Sequence, residues 1–166
     1  GDCGAATYEF DITWDPDPRD LPAKVEAVHT SSIAATLDPG ADTLRRVVAS
    51  LRESALISYD PNARPSLMGD PSLAREPIEE NIALADIVKA SDEDLEWLYE
   101  TSDIDQAAQS WLRRGVKLAV ITRGGQGATA FTARGRVDIP GVRVDVADTV
   151  GAGDTFSAGL LDALSR

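Results

Sequence analysis

The chain is poor in cysteine, histidine, aromatic residues and positive charge. Of its 166 residues one is cysteine, one is histidine and 5% are aromatic. The lone thiol, Cys3, forms no internal disulfide, which fits a reducing cytosol and a cytoplasmic protein. No segment reads as a signal peptide, and no apolar run is long enough to span a bilayer. Lysine and arginine number 16 against 28 acids, a formal net charge of −12. That balance argues against nucleic acid or an anionic membrane as partner, because both are bound through basic patches. A nucleotide substrate stays compatible with it, since local amides and a metal can hold phosphates inside an acidic protein. The single histidine, His29, has no serine or cysteine nucleophile pattern around it and is assigned a structural or pocket-edge place. The P-loop string G-x-x-x-x-G-K-[ST] is absent, and Gly124-Gly125-Gln126-Gly127 supplies only half of a dinucleotide fingerprint, without its acidic partner. There is no internal repeat and no low-complexity segment.

What is present is a chain of one-domain length whose 43% hydrophobic content suffices for a core. It opens Gly-Asp-Cys without a methionine and stops at Arg166 inside a helical pattern, so it reads as a piece of a longer protein, cut at both ends. Alternation of Tyr8, Phe10 and Ile12 with polar neighbours predicts a strand over 7–13, followed by a solvated Pro/Asp loop over 15–20. Further strands are expected over 25–31, 56–59, 86–89 and 117–122, and a hairpin over 128–131 and 136–139. Helices are expected over 42–51, over 72–84 with Pro77 as a break or new start, after the cap Ser91, and over 103–114 with Gly115 as the stop. Trp97 and Trp111 fall among leucines on two of these helices and are assigned to the core. Strands alternating with helices predict a mainly parallel sheet with helices on both faces, whose ligands sit outside the carboxyl ends of the strands. Asp60 after Tyr59, Ser91 after Lys89, Gly124 after Thr122, and Gly151 after the segment 142–146 all fall at that edge.

The most informative string is DTVGAGDTFSAGLL, residues 148–161. Gly151, Ala152 and Gly153 lead into Asp154, and Phe156, Leu160 and Leu164 then recur every four positions with Leu161 widening the stripe. A helix N-terminus carries unsatisfied N–H groups and about +0.5 of an elementary charge, so it is a ready seat for an anion. Glycines let the chain turn tightly and let a ligand approach the backbone. A GAG turn with an Asp can also be only a capped connection. The chemistry that fits best is phosphoryl transfer, which needs charge stabilisation and an aligned acceptor more than covalent catalysis. Amides of Ala152, Gly153 and Asp154 would hold developing negative charge, and the Asp154 carboxylate would take the proton of an attacking hydroxyl.

The whole string resembles the C-terminal signature of the ribokinase (PfkB) family of carbohydrate kinases, with Asp148, Gly151, Ala152, Gly153, Asp154, Ala158 and Gly159 all fitting it. Other segments extend the resemblance along the chain: VHTSSIAATLDPGA at 28–41, SYDPNARP at 58–65, DIVKASDEDLEWLY at 86–99 and VITRGGQGA at 120–128. The resemblance implies a ribokinase-like three-layer α/β/α fold with a mainly parallel sheet, here lacking the N-terminal lid portion. It implies ATP as co-substrate, Asp154 as catalytic base, and Gly151, Ala152 and Gly153 as anion hole. It aligns Thr122, Gly124 and Gly127 with nucleotide-binding positions and Arg64 with a residue that reaches sugar or phosphate, while Asn62 shapes the turn. Asp148 and the Val150 carbonyl align with ligands of a monovalent cation, K⁺. Many relatives carry Asn-x-x-Glu where this chain has Ser91-Asp92-Glu93-Asp94. Ser91 and Asp94 keep oxygens suited to Mg²⁺ held largely through water, with Glu93 as the substitute acid. The same residues also read as a serine N-cap followed by acids in the first helical turn.

The SDED segment and the stretch from His29 to Ser32 resemble the fructokinases most, which implies fructose to fructose 6-phosphate. A 2-dehydro-3-deoxygluconate kinase or another PfkB sugar kinase is the alternative within the enzymes, since Arg64 suits a carboxylate substrate. A catalytically incomplete nucleotide-binding module or sugar sensor is the alternative outside them. In the family the N-terminal half supplies most sugar contacts and the lid that also makes a homodimer, and a segment after the position of Arg166 completes the adenine pocket and the cation site, so the isolated chain is expected to turn over poorly.

Overall fold

The computed structural model describes residues 12–20, 22, 24–145 and 148–165. The strand expected over 7–13 lies mostly outside them. Six strands form one sheet in sequence order: β1 (Ala27–Ser31), β2 (Leu56–Asp60), β3 (Ile87–Ser91), β4 (Leu118–Thr122), β5 (Gly127–Thr132) and β6 (Gly135–Pro140). The first four are parallel, and β5 and β6 return antiparallel as a hairpin on β4.

Between the parallel strands run α1 (Gly40–Leu51), the short α2 (Pro65–Met68) with α3 (Pro71–Leu84), and α4 (Asp92–Tyr99) with α5 (Ile104–Arg113). Every crossover advances the sheet in the same direction, and right-handed crossovers then put their helices on one face. The core reflects this. Ile57, Tyr59, Val88, Ala90, Ala119, Ile121 and Phe131 project from the strands into one cluster with Val48, Ile78, Ile82, Leu95, Leu98, Ala108 and Trp111 from the helices. Trp97 is half-buried against the same cluster. Side-chain caps and a glycine stop set the helix ends. Asp70, Ser91 and Asp103 accept from the backbone N–H groups of Ser72, Asp94 and Gln106, and Gly115 follows α5 at φ 105°.

One local expectation changes, and two other segments take a definite form. Pro77 does not break α3, which runs through it unbroken. The carbonyl that loses its partner belongs to Leu73, a well-exposed residue that water can serve, while Ile78 and Ile82 bury completely and hold the helix down. The described part of 142–146 is not a strand: Val142 and Val144 are exposed and pair with nothing in the sheet. The loop over 15–20 contains a 3₁₀ turn, Pro18–Asp20, and Trp14 just before it anchors to the fold. Its indole donates to the Ala34 carbonyl at 2.9 Å and packs on Gly40 so closely that a Cβ there would lie 2.2 Å from the ring.

The remaining helix, α6 (Ala152–Leu164), lies over the opposite face, where Gly153 meets Lys89 of β3. Among the described residues no helix is long and apolar enough to cross a membrane.

Candidate functional site

Side chains alternate along a strand, so the residues between those of the core point to the second face. On β1, β2 and β3 these include His29, Ser58, Asp60 and Lys89, polar residues inside a sheet. His29 and Ser58 are paired across the strands, with His29 Nδ1 and Ser58 Oγ 3.1 Å apart. Lys89 Nζ donates to Asp60 Oδ2 at 2.8 Å, and both side chains are inaccessible, 5% and 1% exposed. Asp60 Oδ1 accepts from the Asn62 backbone N–H at 3.1 Å, which closes the turn after β2. Burial raises the pKa of the Asp60 carboxyl, and the charge and hydrogen bond of Lys89 oppose the rise. Taking such ions out of water costs about several kcal/mol each before pairing. Desolvation depresses the pKa of His29, the negative charges of Asp60 and Asp154 pull it back up, and Lys89 pushes it down. His29, Asp60, Lys89 and Asp154 therefore share one electrostatic neighbourhood.

α6 begins there. Gly151 turns the chain at φ 74°, in the left-handed region that favours glycine. The Ala152 N–H is used inside the turn, donating to the Thr149 carbonyl at 3.1 Å. The first helical bond is from Thr155 to Gly151 at 2.9 Å, so Gly153 and Asp154 contribute the N–H groups that lack an intrahelical acceptor. Among the described residues the expected anion seat thus keeps two open amides, those of Gly153 and Asp154. Asp154 is exposed beside them. Gly153 sits directly on the buried pair: a Cβ at this position would lie 3.0 Å from Lys89 Nζ. One turn further on, Ser157 is buried, and its hydroxyl has no hydrogen-bond partner among the described residues. Before the helix, Asp148 Oδ1 accepts from the Val150 N–H at 2.9 Å, and both residues are exposed.

The other expected residues line the same edge with different degrees of engagement. Ser91 and Thr122 end β3 and β4 as direct neighbours, and the Thr122 hydroxyl donates to the Ala90 carbonyl. Gly124 opens the following turn at φ 49°. Gly127 closes it with no room for a side chain, since a Cβ would lie 2.0 Å from the Ile139 carbonyl oxygen. Ser91 and Asp94 form a reciprocal capping box. Asp94 goes further: it is buried, and while Oδ2 accepts from Ser91, Oδ1 accepts from the Ala63 N–H at 2.7 Å. It therefore ties the start of α4 to the turn after β2. Glu93 is exposed on the first turn of α4. Arg64 folds onto its own turn, with Nη1 donating to the carbonyl and the side-chain oxygen of Asn62.

Among the described residues no group of three or more histidine, cysteine, aspartate or glutamate side chains forms a ready metal cage. Ser91 and Glu93 suit a hydrated Mg²⁺ held through water better than a fully ligated ion, whereas both oxygens of Asp94 already accept from backbone N–H groups. Reading by motif overlooked Lys89 and Asp60 as a unit. The available signal was a lysine inside the apolar strand sequence Ile87-Val88-Lys89-Ala90, a charge where burial is expected.

Comparison with known proteins adds four findings. The family model described as pfkB family carbohydrate kinase matches residues 3–166. A fructokinase of Rhizobium leguminosarum bv. trifolii is 40% identical over 97% of this chain and 52% of its own length. The crystal structure of aminoimidazole riboside kinase from Salmonella enterica, complexed with aminoimidazole riboside and an ATP analogue, is similar at TM-score 0.80 and 36% identity, covering 90% of this chain and 51% of that one. That of a fructokinase from Vibrio cholerae, with fructose, ADP and calcium bound, is similar at TM-score 0.77 and 33% identity, over 86% and 47%. The chain spans about half the length of the curated relatives it matches.

Proposed function

The chain belongs to the pfkB family of carbohydrate kinases, with a ribokinase-like α/β fold, and from that premise we propose that it carries the phosphoryl-transfer machinery of an ATP-dependent sugar kinase acting on fructose. The observation that carries the reading is the start of α6. It presents two open amides, Gly153 and Asp154, beside a free-standing carboxylate at the carboxyl edge of the parallel strands. Asp154 takes the proton of the sugar's primary hydroxyl as that oxygen attacks the γ-phosphorus of ATP. The bond to the bridging oxygen breaks, and ADP departs. In a loose transition state the negative charge spreads over the transferred group's oxygens, and fixed N–H dipoles stabilise it without having to reorient. Thr122, Gly124 and Gly127 supply the backbone edge along which the nucleotide lies. Arg64 swings off its own turn to meet substrate or phosphate.

Mg²⁺, when bound, neutralises phosphate charge. Ser91 and Glu93 would hold it through water, because both oxygens of Asp94 already serve backbone amides. Asp148 and the Val150 carbonyl would hold a K⁺ ion beside the loop. The fructose assignment rests on the identity to fructokinases and on the matching SDED segment. Aminoimidazole riboside is the second candidate, because the aminoimidazole riboside kinase is as similar in backbone as the fructokinase from Vibrio cholerae.

The test is ADP release by the full-length protein with fructose, aminoimidazole riboside and 2-dehydro-3-deoxygluconate. Fructose is expected to be preferred, and Asp154→Ala to lower kcat by about 10²–10⁴-fold. Activity unchanged in Asp154→Ala sinks the assigned base. A preference for the acid sugar that vanishes in Arg64→Ala overturns the substrate.

A further inference from the structure

Lys89 is an expensive residue in an unusual place. Its ammonium is buried in a central strand and lies against the first turn of α6. The N-terminal end of a helix carries positive charge, so it is the wrong end for a cation. Asp60 offsets only part of this, since it engages one of three N–H donors through one oxygen, and its other oxygen serves Asn62. The helix face above has been fitted to the pair. Gly153 leaves room that a Cβ would take from Nζ, and Ser157 on the same face buries a hydroxyl without a partner. A cation set against the first turn of a helix is an arrangement that an incoming anion relieves.

Resting on the kinase reading above, we infer that Lys89 is a positioning residue. Held by Asp60 beneath Gly153, it fixes the seat of the α6 N-terminus and adds fixed positive potential where the transferred phosphoryl group develops charge. It acts through the helix end and not by contact with substrate. Its effect belongs to the transition state, when the phosphoryl group is closest to the amides, and so to kcat more than to the KM for ATP.

The decisive variant is Lys89→Met/Asp60→Asn, which removes both charges together and leaves no unpaired buried ion. Steady-state kinetics, circular dichroism and thermal melting are measured on it, on Lys89→Arg and on the wild type. Loss of one amide from an anion hole costs about 10²–10³-fold, and a group one step removed is expected to cost about 10–100-fold in kcat, with KM for ATP within about threefold. Lys89→Arg, which keeps the charge, is expected to retain more turnover than the neutral variant. A folded double variant with wild-type kcat, or a loss confined to KM, overturns the inference. So does failure of the neutral variant to fold, which assigns the pair to stability alone. Wild type and Asp154→Ala run alongside keep the two failures apart. A wild type without turnover, or an Asp154→Ala that retains it, removes the kinase reading and the inference with it. A working wild type matched by the double variant removes the inference alone.

Discussion

Asp86 and Asp60 are buried aspartates at opposite ends of the same parallel strands, each paired with a lysine. Asp86, just before β3, accepts from the Ile57 N–H at 2.9 Å and pairs with Lys117 at 2.9 Å. Its own N–H donates to Ile57, and its carbonyl accepts from Lys117 and Leu118, so one residue staples three strands. Lys117 is 76% exposed, whereas Lys89, the partner of Asp60, is 5% exposed. The consequences for the two carboxyl groups are opposite. At Asp86 burial pushes the pKa up, but the Ile57 N–H and Lys117 outweigh it, and the net shift is downward. At Asp60 burial wins and the shift is upward. The same pair is a strand clip when its lysine stays in water. When both ions are buried it becomes a costly fixed charge, and the costly version stands at the end of the sheet where α6 begins.

The largest expected effect comes from breaking the costly pair. Asp60→Ala leaves the Lys89 ammonium buried without its partner and should lower unfolding free energy by about 3–5 kcal/mol in urea denaturation. Lys117→Ala removes an exposed cation and should cost about 1 kcal/mol or less. Equal losses at the two ends would erase the distinction.

An intermediate effect is expected at Asp94, which joins the site edge to the core. Asp94→Ala leaves the Ala63 and Ser91 amides without their acceptor and should cost about 2–3 kcal/mol. The same variant, assayed where it remains folded, should keep the wild-type Mg²⁺ dependence, while Glu93→Gln should raise the Mg²⁺ needed for half-maximal rate. The reverse pattern would make Asp94 the metal acid.

The smallest effect near neutrality is the pH response of Asp86. Its folded pKa lies below the ordinary 3.8, so its contribution is present above that value and is lost as pH falls through the folded pKa. Asp86→Asn should therefore flatten the stability curve on the acid side, below about pH 4. Parallel wild-type and variant curves there would show that the clip carries no charge-dependent stability.

Local patterns made much of this legible. The cap Ser91, the stop at Gly115, the hairpin over β5 and β6 and the helix after Gly151 all rest on residues within a few positions of one another. The rest had causes beyond that range. Pro77 stayed in α3 because the burial of Ile78 and Ile82 outweighs one lost hydrogen bond. Trp14 anchors through an acceptor, Ala34, that lies 20 residues away. The segment 142–146 carries alternating valines but has no neighbouring strand to pair with among the described residues.

By itself the sequence determined, within a few residues, most of the strands and helices that the described residues form, that the motif around Asp154 opens a helix, and which family the chain resembles. Tertiary structure alone decided that Lys89 meets Asp60 across 29 residues, that Asp94 holds the Ala63 turn, and that Gly153 rests on a buried ammonium. The physical reason is distance along the chain. Caps and turns form from neighbours that are already close, whereas the charged pair exists only once β2 and β3 have closed a long loop in one register, with both ions on the same face of the sheet.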